Sequence, residues 1–142
     1  MTGTPRTVGA SIRSNRRANP GDPLEMETLD MLAYSLILFA IAAIGGLVLA
    51  ARVLRGRFAP WALSLAHALL GAAGLALLLV MLVQGSMPQR ILAGFVILLV
   101  AALGWFFLAS FHLRKQLPPK AVVALHAGVA VTGFLTLLSA LL

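Results

Sequence analysis

Four apolar runs, Met31–Ala51, Trp61–Val83, Ile91–Leu113 and Ala121–Leu142, dominate this chain of 142 residues. None is shorter than twenty-one residues, and about 20 apolar residues in an α-helix cross the hydrocarbon core of a bilayer. The only titratable groups inside them are Tyr34, His67, His112 and His126. Backbone groups in lipid must pair within their own segment, so isolated strands are excluded and four transmembrane helices are expected. The linkers at 52–60, 84–90 and 114–120 are short, which makes neighbouring helices antiparallel. The expected fold is an all-α membrane protein, a four-transmembrane up-down helix bundle with no soluble domain.

Composition narrows the chemistry. A hydrophobic content of 61% and a mean hydropathy of +0.99 lie far from a soluble domain. Cysteine is absent, which removes disulfides, thiolate metal sites, iron–sulfur clusters and cysteine nucleophiles. The net charge of +7 suggests nucleic acid until its distribution is read. All four acids, Asp22, Glu25, Glu27 and Asp30, stand in the first thirty residues, balanced there by Arg6, Arg13, Arg16 and Arg17. The excess bases, Arg52, Arg55, Arg57, Arg90, Arg114, Lys115 and Lys120, all lie between apolar runs. That pattern marks membrane flanks, with the lipid bilayer as partner and no nucleic acid.

Residues 1–30 are rich in Gly, Pro, Ser, Asn and Arg and read as a disordered tail before a four-helix domain at 31–142. The run that follows is too long for a signal-peptide core; Met26 and Met31 are alternative starts. Loops 52–60 and 114–120 carry three bases each, and the middle loop carries Arg90 alone. The positive-inside rule then places those two loops in the cytoplasm and both termini outside, in a bacterial inner membrane.

The chain also repeats itself. Residues 33–83 align on 92–142 without a gap, matching at fifteen of fifty-one positions. Ala and Leu matches carry little weight in membrane segments. The joint match of Arg55/Arg114, Pro60/Pro119, His67/His126, Gly45/Gly104 and Gly74/Gly133 carries more. Each repeat is a helical hairpin entering the membrane in the same sense, which implies a pseudo-two-fold axis along the membrane normal.

The repeated P-x6-H-x6-G pattern is the candidate site. Each histidine lies seven residues past its proline, roughly 10 Å into its helix, so the two share one depth. Helical spacing puts Gly71 and Gly74 on the face of His67, and Ala130 and Gly133 on the face of His126. Small residues above a histidine admit another helix or a flat ligand. The reading this favours is one haem b with His67 and His126 as axial ligands from diagonal helices. Gly71, Gly74, Ala130 and Gly133 would form its walls, and Arg55 and Arg114 would pair with its propionates.

In pairing histidines across a membrane four-helix bundle, the chain resembles small membrane b-type cytochromes. That resemblance implies one-electron transfer within a larger membrane complex and no catalytic activity of the chain's own. Two-haem families carry two such pairs and this sequence has one, which leaves room for a single haem. A homo-oligomer is the other expected assembly.

Two other classes compete. An intramembrane His can bond a hydroxyl or carbonyl on a neighbouring helix and fix packing, which describes a cofactor-free structural or accessory subunit. A small transporter or channel needs a polar path, and no Asp or Glu follows Asp30. His112 lies near the end of its segment, and its repeat counterpart is Val53. It is expected at the interface, away from the pair. Trp61 and Phe58 are expected in one aromatic belt and Tyr34 in the other. Trp105, Phe106 and Phe107 replace Gly46, Leu47 and Val48, which suggests that the third helix faces lipid or a partner.

Overall fold

The computed structural model describes residues 23–85 and 87–142, with the side chains of 23–25 left aside. Among these, four helices are the only regular elements: α1 (Pro23–Leu54), α2 (Trp61–Val83), α3 (Gln89–Leu113) and α4 (Lys120–Leu138). Each is long and apolar enough to cross a bilayer, as a multi-pass membrane protein requires. Successive helices are neighbours, α4 closes back on α1, and the diagonal pairs α1/α3 and α2/α4 do not touch through their backbones. This is the up-down bundle. Packing is far more extensive within the α1–α2 and α3–α4 hairpins than between them.

The helix ends follow local chemistry. Pro60, Pro88 and Pro119 are the N-cap residues of α2, α3 and α4. There a missing N–H costs nothing, and the Pro60 carbonyl accepts the Ser64 N–H at 3.0 Å. The first hairpin turn ends α1 with Gly56 at φ 70°; the second ends α3 with Lys115 at φ 56°. These two positions are repeat equivalents, and the left-handed conformation favours glycine over lysine.

One boundary differs from expectation. Composition placed residues up to 30 in a tail, whereas α1 reaches back to Pro23. Proline suits a first helical turn, and Pro23 is the first residue of α1. The rest of the expected tail, 1–22, lies outside the described residues.

Burial repeats with the same fifty-nine-residue period. From Leu32 to Ala42 the buried positions on α1 are Leu32, Ser35, Leu36, Phe39 and Ala42; over the matching stretch of α3 they are Ile91, Gly94, Phe95, Leu98 and Ala101. These are equivalent pairs throughout. Leu78 on α2 and Leu137 on α4 are another such pair, both fully buried. The outward faces agree as well: Ile37, Ile41, Ile44, Leu47 and Val48 are exposed, as are Val96, Val100, Leu103, Phe106 and Phe107. The bulky aromatics of α3 therefore keep the orientation of their smaller counterparts and point outward. Large apolar side chains exposed in such stripes are the surface that lipid covers.

Glycine contacts show how the hairpins close. A Cβ on Gly74 would stand 2.8 Å from the Phe39 ring, and one on Gly133 would stand 2.7 Å from Leu98. A Cβ on Gly94 would lie 2.6 Å from Leu137 Cδ2 and 3.2 Å from its backbone nitrogen, whereas Gly71 faces open space. Gly94→Ala is therefore expected to destabilise the bundle by about 1–3 kcal/mol. Gly71→Ala should be neutral or stabilising by up to about 1 kcal/mol. Unfolding of the two variants in detergent micelles checks the contrast.

Candidate functional site

His67 and His126 come from the two helices whose backbones do not touch, and their side chains fill the gap between them. The ring centroids are 6.3 Å apart with planes inclined at 72°. Both residues are partly buried. The repeat placed them at one depth; the bundle turns them toward each other.

The two rings are held differently. His67 Nδ1 lies 2.8 Å from the Ala42 carbonyl of α1. A carbonyl only accepts, so Nδ1 carries the proton and Nε2 of the neutral ring keeps its lone pair. The equivalent acceptor for His126 is Ala101. His126 Nδ1 is buried beside that carbonyl in a looser contact that falls just outside hydrogen-bond geometry.

The neighbouring helix explains the difference. A Cβ at Gly46 would meet His67 Cε1 at 3.0 Å and Nδ1 at 3.4 Å. The His67 ring therefore lies flush against α1 only because position 46 has no side chain. The equivalent position on α3 is Trp105, which carries such a Cβ. His126 instead lies against Gly104, where a Cβ would stand 3.5 Å from Nδ1.

The residues expected as cofactor walls divide into two groups. Gly74 and Gly133 are buried, and the space before them is taken by Phe39 and Leu98; they serve helix contact within each hairpin. Gly71 and Ala130, each four residues beyond a histidine, are partly buried, and Gly71 has open space in front of it. The small residues that border the rings are Gly46 on α1 and Gly104 on α3, with Gly45 beside the His67 Cβ and Leu63. The Gly45/Gly104 repeat match was their signal in the sequence; helical spacing on the histidine helices alone does not reach them.

Arg55 and Arg114 are exposed at the end of the bundle nearer the histidines, just beyond α1 and α3. His112 stays apart from the pair and stacks on Trp61, with centroids 4.9 Å apart and planes 27° from parallel. This contact joins α2 to α3. Its repeat equivalent would be Val53 against Lys120, so one seam between the hairpins has an aromatic clasp that the other lacks.

Among the described residues no three His, Cys, Asp or Glu side chains converge. A bare metal ion would find two imidazoles and too few further ligands. A haem brings its own four nitrogens and asks the protein for axial ligands only. Two imidazoles bonding one metal from opposite sides, at about 2 Å each, put their ring centres roughly 6 Å apart. The observed 6.3 Å is of that size, and it is also the distance of an ordinary edge contact between two rings. No family model, curated protein or solved structure matches this chain.

These contacts predict a tautomer. Solution NMR of histidine-labelled, cofactor-free protein should show His67 protonated at Nδ1 with that proton hydrogen-bonded. Gly46→Val should abolish this signature, and Trp105→Gly should create a matching one at His126. An unchanged His67 spectrum in Gly46→Val would refute the packing account.

Proposed function

We propose that this protein binds one haem b between His67 and His126 and carries single electrons within a membrane complex. The observation that supports it best is the convergence of two imidazoles from diagonal helices, 6.3 Å apart, inside membrane-length apolar segments. Intramembrane ionisable groups are costly and usually mark function.

When bound, haem supplies a reversible one-electron couple whose potential follows its axial ligands and burial. The chain's own part is to hold the ligands. The Ala42 carbonyl fixes the His67 ring and raises the basicity of Nε2, the role that carbonyl partners play behind ligating histidines. Gly46 and Gly104 keep the α1 and α3 flanks of the rings free of side chains. Arg55 and Arg114 would hold carboxylates at the basic end. The same basic loops support an orientation with both of them in the cytoplasm, in a bacterial inner membrane.

One observation favours a second reading. The His67–Ala42 hydrogen bond already joins α2 to α1, which suits a cofactor-free structural subunit with His67 as a packing clasp. The two readings differ in colour. Protein purified from haem-replete cells should show a Soret band and sharpened α/β bands on reduction. His67→Ala and His126→Ala should each lose most of that spectrum. A colourless preparation, or full spectra in both variants, would end the haem proposal. The structural reading instead expects His67→Ala to cost about 1–2 kcal/mol of stability and His126→Ala to cost much less.

A further inference from the structure

The six bases at the histidine-side end have no role in packing. Arg52, Arg55, Arg57, Arg114, Lys115 and Lys120 are all exposed. The nearest acid along α1, Asp30, lies twenty-two residues before Arg52, about 33 Å away at 1.5 Å per residue. No acidic residue follows it in the chain. The same end carries the starts of α2 and α4, which have neither a side-chain cap nor an acid in the first turn. Positive helix-dipole ends therefore add to the cations there.

Their height decides what neutralises them. The turns at 55–60 and 114–119 join directly onto apolar helices, so the cations lie within a few residues of the hydrocarbon boundary. Phe58 and Trp61 are exposed at the same level, where interfacial aromatics sit. At that depth the abundant anion is the phosphate of a lipid; a soluble acidic protein would have to enter the headgroup layer to reach it.

We propose that this end binds anionic phospholipid headgroups at two repeat-equivalent sites. One is formed by Arg52, Arg55 and Arg57 beside the start of α2. The other is formed by Arg114, Lys115 and Lys120 beside the start of α4. The proposal stands without haem; with haem bound, Arg55 and Arg114 would be shared with its carboxylates, and Arg52, Arg57, Lys115 and Lys120 would remain for lipid.

The test uses the full chain in nanodiscs of phosphatidylglycerol and phosphatidylcholine, with retained lipids counted by native mass spectrometry. Up to two phosphatidylglycerol molecules per chain should be retained in preference to phosphatidylcholine. Each base removed should weaken binding about five-fold. Arg55→Gln with Arg57→Gln should lose one lipid, and Arg114→Gln with Lys115→Gly the other. Lys115→Gly also relieves the φ of 56° at that position, so lipid loss with an unchanged or raised melting temperature reflects charge and not unfolding. Equal retention of the two lipids, or a preference that survives all four substitutions, overturns the proposal. So does complete displacement by millimolar inorganic phosphate, which would assign the sites to free phosphate. Binding of polyglutamate without any lipid preference would overturn it in favour of an acidic protein partner.

Discussion

Hydrocarbon offers no hydrogen-bond partners, so every polar group in the membrane-length segments must find one within the protein. The hydroxyls do so locally. Ser35, Ser110 and Ser139 bond the carbonyl three residues back, and Thr132 and Thr136 the carbonyl four back. Imidazole is too large and too rigid for that solution. His67 therefore reaches across to α1, and the contact it makes with Ala42 sets both the orientation of the ring and the nitrogen left over. The character of the site follows from a need for satisfaction that exists before any ligand does.

The duplication multiplies this arrangement and leaves the two ends of the bundle unlike. Leu32, Leu36, Phe39, Leu78 and Met81 from the first hairpin pack with Ile91, Phe95, Leu98 and Leu137 from the second. This is one cluster at the end carrying α1's start and α4's finish. Toward the other end, buried apolar residues thin to Val53 and Val123 beyond Ala42 and Ala101. The histidines occupy this less densely filled half. A close-packed core at one end lets the other end be built around polar side chains without loss of the bundle.

Much of this was legible in the sequence, because it rests on length, spacing and repetition. The four helices follow from apolar runs, and the start of α2 at Trp61 follows from its proline. The shared depth of His67 and His126 follows from P-x6-H-x6-G. The parts that were not legible depend on neighbouring helices. Gly74 and Gly133 lie on the histidine face as spacing requires, but Phe39 and Leu98 fill them, and a helical wheel drawn for one helix omits what the next helix inserts. The Trp61–His112 stack joins residues 51 positions apart in chain order, with no periodicity to announce it. The early start of α1 was hidden by a tail composition that ignored how well Pro23 suits a helix N-terminus.

The divergence between the repeats is as informative as their agreement. If the two halves had stayed identical, both rings would rest against the same glycine of the neighbouring helix and both would donate to an alanine carbonyl. Position 46 is glycine and position 105 is tryptophan, and only His67 has closed its hydrogen bond. A ring fixed by a carbonyl has a set tautomer and a directed lone pair; a ring without one keeps its orientation through contacts alone. A purely structural pair would gain from satisfying both buried nitrogens, since an unpaired one costs about 1–3 kcal/mol. A bond at Nε2 would leave the His126 Nδ1–H as it is, and ligating histidines ordinarily donate that N–H to a partner, so the looser ring is no better explained by a ligand than by packing. The asymmetry therefore bears on how firmly each ring is held: His67 is tied to α1, and His126 keeps more freedom against α3.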